Sequence, residues 1–283
     1  MIKIIPLRPS ALLFSAALLL AGCVSTTGTP EKRTHAAQSL AAGAGLAPRV
    51  ISAGGFDLTA YTRLTAPGQP AAVYIEGDGL AFIGRRQVSA DPTPTDPVAL
   101  RLAALDPAPN VIYLARPCQF SRGASCQNEY WTRRRFAPEI IAAMDAALTR
   151  LAAEGQVTGY DLTGFSGGGT VAALLAARRP DTRSLRTVAG NLDHAAHTAL
   201  HNVTPLSGSL NPPDESAKLR AIPQHHFTGA QDNNVPAAIY QSYARALGPT
   251  PCLHHTVVPG ATHEKGWPAA WPGLLLEKTD CSQ

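Results

Sequence analysis

Tyr160-Asp161-Leu162-Thr163-Gly164-Phe165-Ser166-Gly167-Gly168-Gly169-Thr170 is the stretch around which this chain is organised. It begins as a short apolar run suited to a buried strand and ends in three glycines. Thr170-Val-Ala-Ala-Leu-Leu-Ala-Ala177 then has the composition of a helix. At the joint, Gly164-Phe165-Ser166-Gly167-Gly168 is a G-x-S-x-G match. A serine there occupies a sharp turn between strand and helix, and the glycines leave room where a side chain would clash. A bare match arises by chance in glycine-rich chains, and a glycine-flanked serine can be a simple helix cap. The strand before and the helix after make this one specific.

Similar units flank it on both sides. Arg49-Val-Ile-Ser52 and Phe56 to Leu64 read as strands around a Gly54-Gly55 turn, the second alternating as a half-exposed antiparallel strand. Ala71-Ala-Val-Tyr-Ile75 suits a buried strand and ends in Glu76-Gly77-Asp78-Gly79. Val98 to Leu105 reads as a helix with Pro97 at its start, Asn110 to Leu114 as the next strand, and Arg116 to Arg134 as a long loop. Pro138 to Ala153 carries an apolar stripe of Ile140, Ile141, Met144, Ala147, Leu148 and Leu151, with Gly155 as its stop. After the serine unit come strands at Ser184–Ala189, His225–Thr228 and His254–Val258, and helices at Pro236–Leu247 and near 269–276. Alternation of this kind predicts an α/β fold, a mainly parallel sheet with helices on both faces. Functional loops then gather at the carboxyl ends of the strands.

The N-terminus reads as an address. Lys3 and Arg8 precede an apolar run from Ala11 to Leu20, too short to span a bilayer comfortably, and Leu20-Ala21-Gly22-Cys23 follows. That tetrapeptide resembles the bacterial lipobox, in which the cysteine is lipidated. Residues 1–22 are therefore expected to be a lipoprotein signal peptide and Cys23 the lipidation site, with an ordinary cleaved signal as the plainer reading. By resemblance to lipoprotein sorting, Val24 in place of Asp favours the outer membrane. Residues 23–47, rich in Ser, Thr, Gly and Ala, are expected to be a flexible tether, and 48–283 a single domain.

Net charge is +4 with 24 basic and 20 acidic residues, and two of the positives lie in the signal. No basic run is present, so nucleic-acid binding has no electrostatic support. Beyond Cys23, four cysteines remain: Cys118, Cys126, Cys252 and Cys281. An even count in an exported chain predicts disulfides, and three pairings are possible. Cys118 with Cys126 would tie one short loop, and Cys252 with Cys281 would tie the chain end to the last strand. No C-x2-C spacing supports a zinc site.

A serine hydroxyl is a weak nucleophile that needs a base, a group to orient the base, and backbone donors for the oxyanion formed on attack. Gly229-Ala-Gln-Asp232-Asn-Asn-Val-Pro236 and Gly260-Ala-Thr-His263 each follow a strand. The order Ser166, Asp232, His263, the elbow, and the G-x-x-D-x-x-V-P and G-x-x-H segments together resemble the α/β-hydrolase superfamily over about residues 48–276. The Arg116-Pro-Cys-Gln119 loop and the paired cysteines are similar to some exported bacterial lipoproteins of that superfamily.

The resemblance implies Ser166 as nucleophile, His263 as general base and then acid, and Asp232 as the orienting carboxylate, with Asp193 as the alternative acid. It also implies an oxyanion hole from the backbone N–H of Gly167 and of Asp78, a cap or lid in the connection at about 191–222, and no cofactor or metal. Glu76-Gly77 departs from the histidine–glycine form of the superfamily, and two carboxylates would repel a developing oxyanion. Their side chains are therefore expected to point away, held by Arg85, Arg86 or Arg116.

His194, His197 and His201 would share one helix face, as metal ligands can, but a role in hydrogen-bonding a lid or loop is favoured. Trp131, Trp267 and Trp271 suit a pocket wall and the core equally. The expected function is hydrolysis of a small-molecule ester by a serine enzyme anchored to the membrane through lipid on Cys23. The alternatives are a peptidase or thioesterase of the same fold, or a catalytically silent binding lipoprotein of the cell envelope.

Overall fold

Short apolar runs pair into an eight-stranded sheet in the order β1-β2-β6-β3-β7-β8-β9-β10. The strands are β1 (Ala47–Ala53), β2 (Phe56–Leu64), β3 (Ala71–Ile75), β6 (Asn110–Leu114), β7 (Tyr160–Phe165), β8 (Thr182–Val188), β9 (Gln224–Gly229) and β10 (Leu253–Val258). A two-stranded hairpin of β4 (Phe82–Ile83) and β5 (Gln87–Val88) stands apart from it. β1 and β6 both run antiparallel to β2, and every pairing from β6 through β10 is parallel. The computed structural model describes residues 1–2, 28–84 and 86–282, so most of the expected signal peptide, Cys23 and Arg85 lie outside the described residues.

The helices are α1 (Pro30–Gly43), α2 (Val98–Leu105), α3 (Pro138–Gly155), α4 (Gly167–Ala176), α5 (His194–Leu200), α6 (Ser216–Leu219), α7 (Ala237–Leu247) and α8 (Trp267–Leu274). They cover both faces of the sheet. Strand residues alternate between the two sides, as the pleat requires. Val73, Ile75, Ile112, Leu114 and Leu162 pack with α3, α4 and α7. Tyr74, Val111, Tyr113, Phe165 and Phe227 pack with α1, α2 and α8. The mainly parallel α/β architecture predicted from the alternation of elements is the one observed.

Three local expectations need correction. β2 is not half-exposed: Leu58, Thr59, Ala60, Tyr61 and Thr62 are all buried, because helices close both faces over it. The stretch expected as a tether is helical from Pro30 onward. Pro30 occupies the first turn of α1, Thr29 accepts a hydrogen bond from the Lys32 N–H, and Ala37 and Ala41 are buried against the domain. Arg33 is buried too, donating to the Thr93 carbonyl and pairing with Asp91 at 3.6 Å. Alanines hide such a helix from a composition reading, since they bury closely without a large apolar signature. Gly155 is the last residue of α3, not its stop. Gln156 makes the left-handed turn, and a Cβ on Gly155 would meet Leu64 at 2.8 Å.

The cysteines pair as Cys118–Cys126 and Cys252–Cys281. The second bridge closes 29 residues and fastens the chain end to the start of β10, the edge strand. His254 and His225 reinforce the attachment by bonding the Asp280 and Lys278 carbonyls. Replacing Cys252 and Cys281 together by serine should cost about 2–4 kcal/mol, measured as the shift in urea-unfolding free energy against the oxidised wild type.

Candidate active site

β7 ends at Phe165 and α4 begins at Gly167, so the chain must reverse within Ser166 alone. Ser166 does so at φ 52°, ψ −121°, a conformation that costs a side-chain-bearing residue energy and persists only when its surroundings enforce it. The enforcement is visible. Ser166 N–H donates to the Val188 carbonyl, while its own carbonyl accepts from Gly169 and Asn191. A Cβ on Gly164 would lie 2.2 Å from the Gly168 carbonyl oxygen, and one on Gly168 would lie 2.3 Å from that of Ile75. The glycines thus allow α4 to start in contact with the ends of β3 and β7.

β9 and β10 bring the partners. His263 Nε2 lies 2.9 Å from Ser166 Oγ, and His263 Nδ1 lies 2.9 Å from Asp232 Oδ2. The Asp232 side chain is fully buried, and its other oxygen accepts from the N–H groups of Asn234 and Val235. With Asp232 accepting from Nδ1–H, Nε2 is left as the acceptor for the serine hydroxyl. Trp267 Nε1 donates to the His263 carbonyl at 2.9 Å and steadies the loop. Asp193, the alternative acid, is engaged elsewhere. It caps α5 through the Ala195 and Ala196 N–H groups and accepts from Asn211 and Ser242.

The Glu76-Gly-Asp-Gly loop follows β3 and meets the elbow from the other side. The N–H groups of Gly167 and Asp78 have no acceptor among the described residues. Asp78 Oδ1 would lie 2.1 Å from a Cβ on Gly167, so the carboxylate sits directly beside the serine turn. It does not point into solvent. Arg116 Nη1 reaches Oδ1 at 3.2 Å and Arg135 Nη1 reaches Oδ2 at 2.5 Å. Burial by itself would raise the Asp78 pKa, but the two guanidiniums outweigh it and hold the carboxyl below the usual range. Arg116 was expected as a partner. Arg135, 57 residues away in sequence, was not. Arg86 is exposed and makes no such contact among the described residues.

Glu76 turns the opposite way, into the core, where it is 1 % exposed. Its Oε1 accepts from its neighbour Gly77 N–H and from Ala99 N–H at the start of α2, and its Oε2 from the Tyr113 hydroxyl. The N-cap of α2 is Pro97, which has no side-chain acceptor to offer, so Glu76 supplies the missing cap from the end of β3. Burial drives its pKa up to about 7, against the lowering effect of those hydrogen bonds.

The three α5-region histidines are taken up by backbone carbonyls. His197 and His201 both bond the Asn234 carbonyl in the Asp232 loop, and His194 bonds that of Leu210. No group of three or more His, Cys, Asp or Glu suited to a metal occurs among the described residues. Trp267 and Trp271 are fully buried core residues. Trp131 closes a small recess with Arg116 and Arg135. A hollow of about 310 Å³ lies along α5, lined by Ala195, Thr198, Ala199, Val203 and Leu206, and Ser166, Asp232 and His263 are not in its wall.

With the geometry in place, solved structures can be compared. Est1E from Butyrivibrio proteoclasticus superposes with a TM-score of 0.55 at 15% identity, over 81% of this chain and 97% of that one. The fold is the α/β-hydrolase fold. An α/β serine hydrolase homologue from Coxiella burnetii gives 0.56 at 16% identity, over 80% and 92%. The Pyrococcus furiosus esterase Pf2001 gives 0.58 at 12%, over 83% and 90%. No protein-family model and no curated protein sequence matches the chain. Architecture is therefore shared across sequences that retain little else in common.

Glu76 yields a signed stability test. Its folded pKa of about 7 exceeds the ordinary 4.5, so the folded state holds the proton through that window while the unfolded chain releases it. Stability attributable to this group is full below pH 4.5 and is lost as pH rises to 7. Glu76→Gln should therefore be more stable than wild type at pH 8, on the order of 2 kcal/mol. The gap should close by pH 5, as followed by urea denaturation. Gly168→Ala, which drives a methyl into the Ile75 carbonyl, should cost about 2 kcal/mol or more by the same measurement.

Proposed function

We propose that this protein is a serine hydrolase that cleaves carboxylic esters through an acyl-serine intermediate. One observation carries the reading: Ser166, His263 and Asp232 form an unbroken hydrogen-bonded chain beside the Gly167 and Asp78 N–H groups, which have no acceptor among the described residues. The neighbours' α/β-hydrolase fold is consistent with it, and the Pyrococcus furiosus neighbour is an esterase by name.

In this reading His263 Nε2 takes the Ser166 proton as Oγ attacks the ester carbonyl carbon. Asp232 keeps the ring in the tautomer that can accept it and stabilises the imidazolium that forms. The carbonyl oxygen becomes an oxyanion and accepts from the N–H groups of Gly167 and Asp78. Collapse breaks the bond to the leaving alkoxide, which takes the proton from His263. Water then adds to the acyl-serine with His263 again as base, releasing the acid and restoring Ser166. These steps need no group beyond the chain and water.

The address is part of the proposal. Lipid on Cys23 would hold the domain at the bacterial cell envelope, on the outer membrane. α1 begins at Pro30, so of the stretch 23–47 the part from Pro30 to Gly43 belongs to the folded domain, while Cys23 lies outside the described residues.

A fluorophosphonate probe should label the wild type at Ser166 and fail on Ser166→Ala. Absence of labelling on folded, oxidised wild type would support the silent binding protein instead. p-Nitrophenyl esters should turn over, with kcat for His263→Ala or Ser166→Ala reduced by about 10⁴-fold or more. Faster cleavage of matched anilides or thioesters than of the oxygen esters would move the assignment to a peptidase or thioesterase.

A further inference from the structure

The carboxylate of Asp78 is placed where it ought to do harm. It lies against Gly167, whose N–H, like that of Asp78, has no acceptor among the described residues. A negative charge there opposes the charge that develops on an ester oxygen during attack. Yet it is bonded on both oxygens by arginines from the two ends of a single loop. Arg116 stands just after β6, and Arg135 just before α3. The loop between them is tied by Cys118–Cys126.

The clamp is cross-braced. Arg116 donates to the Arg135 backbone carbonyl, and its guanidinium lies over the Phe136 ring at 5.1 Å. Arg135 Nε donates to the Thr132 carbonyl. Gln119 holds the same loop from below, giving its amide to the Gly77 carbonyl and accepting from Arg116 N–H. Gly79 runs at φ 64° close against Pro92 and Gln119, where no side chain would fit. His197 lies close enough to interact with both Asp78 and Arg135 and adds no negative charge. Two fixed positive charges therefore face one carboxylate. Glu76, the other acid of the loop, is turned into the core.

We propose that Asp78, Arg116 and Arg135 are positioning residues of the ester-cleaving reaction. The paired guanidiniums grip the Asp78 side chain so that its backbone N–H stays aligned with that of Gly167. They also reverse the sign of the charge beside the oxyanion. Asp78 is the handle by which the disulfide-tied loop sets the oxyanion hole. The proposal rests on the serine-hydrolase reading above.

It makes a non-additive prediction, because removing an arginine exposes a carboxylate that the double variant lacks. The full chain is assayed as wild type, Asp78→Asn, Arg135→Gln, Arg135→Lys and the Asp78→Asn/Arg135→Gln double variant. The readouts are kcat and KM on p-nitrophenyl butyrate and Ki for an alkyl trifluoromethyl ketone, which forms a tetrahedral oxyanion on Ser166. Arg135→Gln should lose about 100-fold in kcat with KM within about 3-fold, and Ki should rise in parallel. The double variant should recover about 10-fold over Arg135→Gln, and Arg135→Lys should fall between it and wild type.

A kcat within about 3-fold of wild type for Arg135→Gln, or losses that simply multiply in the double variant, overturns the proposal. If Arg135→Gln does not fold, Arg135→Lys carries the test by the same split of kcat from KM, with an unchanged kcat and Ki as the refuting result. Fluorophosphonate labelling separates the two levels. A wild type that is labelled and active while the clamp variants behave normally refutes the clamp alone. A folded wild type that is never labelled refutes the hydrolase reading and the clamp with it.

Discussion

One residue of backbone, Ser166, reverses the chain between the sheet and α4 at positive φ, and much of the molecule's arrangement serves to hold it there. The turn is tightly enclosed: a side chain on Gly168 would run into the Ile75 carbonyl and one on Gly164 into Gly168, and Val188, Gly169 and Asn191 bond the serine's own peptide groups. Each contact comes from the carboxyl end of a neighbouring parallel strand or from the segment that follows it. A parallel sheet lines those ends up on one edge, which is why the loops after β3, β7, β9 and β10 can converge on a single hydroxyl. The same packing explains the all-buried α4, which has no face to offer solvent and is correspondingly built of small and aliphatic residues.

The polar groups around the serine show how charge is managed near such a turn. Three carboxylates stand at the strand ends, and each is disposed of differently. Asp232 is buried but accepts from His263 and two backbone N–H groups. Asp78 is neutralised by two arginines. Glu76 is withdrawn into the core, where it caps α2 and tends toward the protonated form. A buried charge is tolerable only when paired or given donors, and none of the three is left without them.

Much of this was legible from the residues. Element types and their order followed from periodicity. Ser166, Asp232 and His263 stood out from three short motifs that lie after strands, and the structure brings the three side chains within hydrogen-bond reach. Other features left no local trace. Arg135 looks like one of three successive arginines in a loop, and nothing in its neighbours points to Asp78. α1 left little trace because its buried face is made of Ala37, Ala41 and an arginine, Arg33, without a large apolar side chain. Whether Trp267 and Trp271 lined a pocket or filled the core could not be read from their spacing. Burial of aromatic rings under a helix depends on what the sheet presents opposite them.

By itself, then, the sequence determined the alternation of strands and helices, the glycine-flanked turn and the order in which Ser166, Asp232 and His263 follow their strands. These depend on steric and hydrophobic preferences expressed within a few residues of each other. Only the tertiary structure decided which arginines meet Asp78, that Glu76 faces inward, that Asp193 caps a helix instead of serving His263, and which cysteines pair. Those outcomes depend on distances between segments tens of residues apart, which are set when the sheet assembles and both of its faces are covered.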